Sequence, residues 1–267
     1  MGDASWSRLE VAQVEAHSVV LGARAIAPLK LLNPSNHGRS AWVFQSSYGG
    51  GFVGADDVRL EVQVRAGATL FLSSQASSKA YRKADARLEL NATLEAGAVL
   101  VSWPDPTVCF AQASFTQAQR FSLADQSAGL VALEMVTSGR MARAERWQFE
   151  AYASRLHLDV GGKAALREAL VLSQAHGELA ARLGALDALA TVIITGQPTD
   201  ALAASVEEAV RAAPLSRELL VVCSRAAGAL VVRAASSQSA ALTGRLRELL
   251  GPGVAKLLGD DPLLRKW

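Results

Sequence analysis

Gly49, Gly51 and Gly54, in the stretch SYGGGFVGADD, satisfy the G-x-G-x-x-G spacing. In dinucleotide enzymes that spacing turns the chain after a strand and aims a helix N-terminus at a pyrophosphate. The residues after Gly54 have no helical pattern. Val58, Leu60, Val62 and Val64 alternate with Arg59, Glu61, Gln63 and Arg65, a period of two that belongs to a half-buried strand. Without its helix the fingerprint has no amide-lined terminus for phosphate, so the glycines mark a hairpin or a corner. Other catalytic patterns are missing: there is no G-x-S-x-G pentapeptide and no P-loop, and Ala76 stands where a Ser-x-x-Lys pair ending at Lys79 would need its serine. His17, His37, His157 and His176 are scattered, with no i, i+4 pair for a zinc-enzyme helix. The expectation is a protein that is not an enzyme.

Around these residues the chain reads as an ordinary soluble domain. Half of its 267 residues are apolar, enough for a sizeable core, and residues 1–267 read as one domain. Lys and Arg total 27 against 25 Asp and Glu, a formal charge of +2 that carries no nucleic-acid footprint. MGDASWSRLE lacks a basic segment followed by an apolar one, and apolar runs such as Leu219–Val222 fall far short of the ~20 residues of a membrane span, so a cytoplasmic protein without a membrane role is expected. Cys109 and Cys223 form neither a C-x-x-C pair nor a disulfide framework.

The elements that must position any site are repetitive. RLEVQVRAGATLFL (59–72), RLELNATLEAGAVLV (87–101) and RFSLADQSAGLVAL (120–133) each read as strand, Ala-Gly turn and strand, with Gly67, Gly97 and Gly129 at the turns and a period of about thirty residues. Such a period predicts stacked β units that bury their faces only against neighbours; three separate hairpins in a sandwich are the alternative. Asn33–Ser40 reads as a loop, and Gly161-Gly162 as a two-residue hairpin turn between 153–160 and 164–172. Further strands are expected at 190–195, 219–223 and 230–233, the last two joined by a turn at Gly228. Helical spacing appears at Leu202, Val206 and Val210, and again at Leu242, Leu246, Leu249 and Leu250, the second run ending at Gly251-Pro252. The Ala- and Leu-rich segment 177–189 is a third candidate helix, weakened by Gly184.

Five motifs in order, YGGGFVGAD (48–56), SSQASSKAYR (73–82), WPDPTVCF (103–110), TSGRMARAERWQFE (137–150) and PLLRKW (262–267), make the chain resemble the UreD (UreH) family of urease accessory proteins. Ser73, Ser74, Ala80 and Leu264 are mild departures from the family pattern. The resemblance implies a mainly β fold, a β-helical, solenoid-like stack of parallel and antiparallel strands with about two α-helices near the C-terminus. It also implies a scaffold in the nickel chaperone complex that matures urease. Such a scaffold binds apo-urease and UreF and, through UreF, the GTPase UreG. No tightly bound cofactor is implied; Ni(II) would pass transiently. The alternative is a β-solenoid hydrolase, or a stand-alone binding module, using the Gly49–Gly54 edge.

Within those motifs the candidate metal ligands are Asp56, Asp105, Cys109, Glu134 and Glu145. A thiolate with carboxylates can hold a borderline cation such as nickel, although this spacing defines no closed site. Each also has an ordinary structural reading: Asp56 as a turn residue, Asp105 in a rigid Pro-Asp-Pro loop, Cys109 as a small buried hydrophobe, Glu145 paired to a flanking arginine. Lys79, Tyr81, Arg82, Arg140 and the terminal Trp267 are candidates for partner contact, Tyr and Arg being the residue types that dominate interface hot spots. Trp103 and Trp147 read as packing residues.

Overall fold

The computed structural model describes residues 6–36, 38–214 and 216–265. The chain opens with β1 (Ser7–Val14), β2 (His17–Arg24), β3 (Leu29–Leu32), β4 (Ala41–Ser47), β5 (Asp57–Val64) and β6 (Thr69–Ser74). It continues through β7 (Ser78–Ala80), β8 (Asp85–Leu94), β9 (Val99–Trp103), β10 (Thr107–Cys109), β11 (Ser114–Leu123) and β12 (Gly129–Thr137). Next come β13 (Ala151–Val160), β14 (Lys163–Ser173), α1 (Leu179–Leu183), β15 (Ala188–Thr195), α2 (Asp200–Ala212), β16 (Leu219–Ala226), β17 (Ala229–Ser236), α3 (Ser239–Leu258) and α4 (Pro262–Arg265). No helix among the described residues is long and apolar enough to cross a membrane.

The repeated units coil rather than fold back as hairpins. One seven-stranded sheet has the order β14-β13-β11-β8-β5-β1-β2, and the ten-stranded sheet runs β16-β17-β15-β12-β9-β6-β4-β3 with β7 and β10 attached at its side. In each unit the first strand lies in one sheet and the second in the other, so Leu60 pairs with Leu90 in the first sheet while Leu70, Leu100 and Leu130 align in the second. These alignments are parallel, the stacking predicted from the period, and the fold is a β-solenoid-like stack. Gly67 and Gly97 sit at the corners with φ near +70°, a left-handed conformation that disfavours a side chain. The third corner departs from expectation. Gly129 pairs with Val99 inside β12, and the corner is made upstream, where Asp125 Oδ1 accepts from Ser127 N at 2.7 Å. Leu94 pairs with Leu123 but Leu100 with Leu130, so this corner holds one residue more, and an Asx turn replaces the glycine.

Burial follows from the layering. The seven-stranded sheet has one face on the core and one outward, and its strands alternate, as in Val58, Leu60, Val62 and Val64 of β5. The centre of the ten-stranded sheet is covered on both faces, so β6 and β9 are buried at every position, while β16 at its edge keeps Leu220 and Val222 exposed. Leu60, Leu70, Leu90 and Leu100 fill the space between the sheets. Phe71, Val101 and Val131 point the other way, against Leu202, Val206, Leu246 and Leu250 of the helices. Truncating any one of these leucines or Phe71 to alanine costs about 2–5 kcal/mol by loss of burial plus the cavity left behind.

Two helical expectations need correction. The run expected to stop at Gly251-Pro252 continues through Pro252 to a Gly259 cap with φ +75°. Proline removes one backbone hydrogen bond, but Leu249, Leu250, Val254 and Leu258 are all buried against the sheet, and that packing outweighs the loss. A Cβ on Gly253 would lie 2.5 Å from Leu202 Cδ1, so the two long helices touch through a glycine just after the proline. The segment 177–189 splits into the single turn α1 and the start of β15, with Gly184 (φ +57°) between them.

Candidate functional site

Two places gather the candidate residues. The first is a short third face of the solenoid, where β7 and β10 pair in parallel and Phe52 bridges to Ala80. Phe52, Ala80 and Cys109 point inward and are buried. Because Cys109 pairs with Ala80, the next residues along each strand, Phe110 and Tyr81, lie side by side, edge to face with ring centres 5.1 Å apart. The preceding coil seats Tyr81: its hydroxyl donates to Gly49 O at 3.0 Å, and a Cβ on Gly51 would lie 2.8 Å from its ring. The coil after Phe110 adds Arg140, whose guanidinium sits 4.0 Å from the centre of the Phe110 ring. Tyr81, Phe110 and Arg140 thus form a ladder across three coils.

Glu145 fixes the end of that ladder. Its Oε2 accepts from Arg140 Nε at 2.8 Å and from Ala111 N at 3.2 Å, and its Oε1 accepts from Arg82 Nη2 at 3.0 Å and from the second Arg140 nitrogen. The side chain is only 7% exposed. Hydrogen bonding to Arg140, opposed by burial and helped by Ala111 N and Arg82, holds the carboxyl down to about 2. Every strong acceptor direction of Glu145 faces a donor of this protein. Asp56 is a turn residue, accepting from Val53 N at 2.8 Å. Cys109 is buried, and loss of solvent pushes its thiol up to about 12, so at neutral pH it is a thiol rather than a thiolate.

The second place lies between the two sheets. A cavity of about 150 Å³ is lined by Ser74, Asp105, Gln117, Gln119 and Glu134 among others. Asp105 is buried and donates its N–H to Ser74 Oγ at 2.8 Å, while Ser74 Oγ lies 3.2 Å from Asp105 Oδ2. Glu134 accepts from Tyr152 Oη at 2.9 Å, Ser154 Oγ at 2.6 Å and Gln119 Nε2 at 3.3 Å. The residue as a whole is half-buried, yet burial of its carboxylate raises the pKa above the ordinary value, the Ser154 and Tyr152 hydrogen bonds offsetting part of that. A second cavity of about 450 Å³, lined by Leu156, Leu170, Leu220 and Val222, is also bordered by Glu134. The Glu134 carboxylate therefore stands between a polar interior pocket and an apolar one opening beside β14 and β16.

Of the five candidate ligands, Asp105 and Glu134 share a cavity, while Asp56, Cys109 and Glu145 lie elsewhere. No three His, Cys, Asp or Glu side chains converge in a metal-binding group among the described residues. Of the partner-contact candidates, Tyr81, Arg82 and Arg140 meet at the ladder and Lys79 sits at its base, with its carbonyl accepting from Phe52 N at 2.7 Å. Trp267 lies outside the described residues. Trp103 and Trp147 are buried, as expected of packing residues. Sequence reading missed Phe110 as the middle of the ladder and Gln119, Tyr152 and Ser154 as the partners of Glu134. One signal was present: Gln117 and Gln119 share the inward face of β11 with Phe115 and Phe121, and polar residues on a core-facing register mark an interior polar site.

The family model described as UreD urease accessory protein matches residues 4–267. A urease accessory protein UreD of Sorangium cellulosum (strain So ce56) is 44% identical over 269 residues, covering 100% of this chain and 85% of that protein. One from Anaeromyxobacter sp. (strain Fw109-5) is 39% identical, covering 97% and 88%. The urease accessory protein D of Oryza sativa subsp. indica is 32% identical over 201 residues, covering 72% of this chain and 65% of the plant protein. The motifs that built the ladder and the cavity lie inside residues 4–267, and the chain belongs to the UreD family of urease accessory proteins.

Proposed function

We propose that this protein is a non-enzymatic scaffold for urease maturation in the cytoplasm, binding apo-urease and UreF and, through UreF, the GTPase UreG, so that Ni(II) reaches the urease site. The observation that carries the reading is the match to urease accessory proteins over residues 4–267. The interior supports a part in passing the cation. Asp105 and Glu134 line the inter-sheet cavity with carboxylates, and carboxylates without nitrogen or sulfur ligands beside them hold a borderline cation weakly, as delivery requires. Nickel is cargo in this reading, not a resident cofactor. GTP hydrolysis belongs to the partner.

Co-expression with UreF, UreG and the urease subunits tests the proposal. The full chain should co-purify with UreF and be required for urease activation. Glu134→Ala should lower activation several-fold while leaving the complex intact. Failure to co-purify with UreF or urease, with activation independent of the chain, would overturn the scaffold reading; full activation by Glu134→Ala and Asp105→Asn together would remove the interior from the cation's route.

A further inference from the structure

The Tyr81–Phe110–Arg140 ladder does nothing for an interior route, yet it is held more rigidly than a solvated surface requires. Gly51 leaves room for the Tyr81 ring, Gly49 O fixes its hydroxyl, and the buried Glu145 locks Arg82 and Arg140 in place. Arg140 and Arg82 still keep 34% and 52% of their side-chain surface exposed. Large apolar side chains flank the ladder in the same segments. Tyr48 (59% exposed) precedes Gly49, Val53 (56%) comes after the Phe52 bridge, and Met141 (53%) after Arg140. Lys30 Nζ lies 3.7 Å from the Tyr48 ring centre and extends the cationic rim.

The charge of this face is one-sided. Segments 48–56, 79–85, 108–112 and 138–145 carry Lys79, Arg82, Lys83, Arg140 and Arg143 against Asp56, Asp85 and Glu145. Two of those three carboxylates face inward to their own structure, Asp56 to its turn and Glu145 to its arginines. An exposed Tyr48, Val53 and Met141 surface, backed by the buried Phe110 and rimmed by cations, is the complement of an acidic segment carrying apolar anchors, since aromatic and arginine side chains supply the hot spots and the rim charges set the encounter. We infer that this face docks an acidic segment of a partner protein. The inference rests on the scaffold reading and deepens it by assigning a surface and the chemistry of its occupant. The docked segment lays its carboxylates against Lys79, Lys83, Arg82 and Arg143, while separate apolar side chains pack beside Tyr48 at one end of the ladder and Met141 at the other.

The test uses the full-length chain with purified UreF and apo-urease as separate probes, titrated at low and high salt. Lys79→Glu, Lys83→Glu and Arg143→Glu are combined in one variant, leaving Glu145 and its partners intact. A second variant, Arg24→Glu with Lys163→Glu and Lys256→Glu, makes the same net-charge change at exposed positions in β2, at the start of β14 and in α3. The first variant should bind one of the two probes at least tenfold more weakly with an unchanged thermal midpoint, the second should bind like the unaltered chain, and unaltered binding should weaken with salt. Binding of both probes as tightly by the first variant, or an equal loss in both variants, overturns the inference while leaving the scaffold reading standing. Charge reversal that weakens only binding to duplex DNA or RNA, added as a third probe, also overturns it. If the unaltered chain binds neither protein, the scaffold reading falls and this inference with it.

Discussion

Arg140 places its guanidinium 4.0 Å from the centre of the Phe110 ring while its Nε donates to Glu145 Oε2 at 2.8 Å. One cation thus ties an aromatic ring of one coil to a buried carboxylate of the next. The arrangement is costly to break from the acid side, because losing Glu145 would leave two arginines and the Ala111 N–H without their shared acceptor.

Glu145→Ala should therefore destabilise the chain by about 2 kcal/mol, in the range for hydrogen bonds to a charged group. The pH dependence has a definite sign. The folded carboxyl is depressed to about 2 from an ordinary 4.5, so its contribution is fully present above pH 4.5 and disappears as pH falls from there toward 2. Denaturant titrations at pH 7 and pH 3 should show the gap between the unaltered chain and Glu145→Gln narrowing at the lower pH. A gap independent of pH would show that the ion pair does not stabilise the fold.

Glu134 should behave oppositely. Burial raises its pKa, so ionisation opposes folding, and the penalty grows as pH rises through the folded value. Glu134→Gln keeps oxygen and nitrogen partners for Tyr152 and Ser154, and it should leave stability at pH 8 equal or higher while making no gain at pH 4. Thermal midpoints at the two pH values decide this; a loss of stability at pH 8 would contradict the burial argument.

The glycines of the false fingerprint separate by mechanism. Gly51 has extended backbone but no room, since a Cβ would lie 2.5 Å from Lys79 O and 2.8 Å from the Tyr81 ring. Gly51→Ala should cost about 1–3 kcal/mol by overpacking. Gly54 has φ +54° and open space around it, so Gly54→Ala should cost only about 1 kcal/mol, from left-handed backbone strain. Equal losses in urea midpoints would refute the steric reading of Gly51.

Thiol labelling gives an independent check on Cys109. Buried, with its pKa pushed up to about 12, it should resist an aromatic disulfide reagent at pH 8 in the native protein, while the part-exposed Cys223 reacts. One fast thiol should appear without denaturant and two with it. Two fast thiols in native buffer would mean that the third face opens readily.

The sequence by itself determined the repeat, the strand type and the family. Alternation in Val58–Val64 and the thirty-residue offset of Leu70 to Leu100 are local patterns, and they already required stacked, half-buried strands. Gly161-Gly162 turned β13 into β14 as its residue types dictate. What lay beyond local pattern was settled by packing. Pro252 reads as a helix stop until Leu249, Leu250 and Val254 are seen against a sheet whose burial outweighs one lost hydrogen bond. Gly129 reads as a corner until the register with Val99 places it in a strand. The sites show the same division. Tyr81, Arg140 and Glu145 are named as candidates within their motifs and Phe110 is not, and only the coiling of successive units, each about thirty residues long, brings a glycine, two rings, an arginine and a carboxylate into contact. Glu134 reads from the sequence as a candidate ligand just after the third repeat. Its meeting with Gln119, Tyr152 and Ser154 is a relation between two facing sheets, and no spacing along one strand encodes the distance between them.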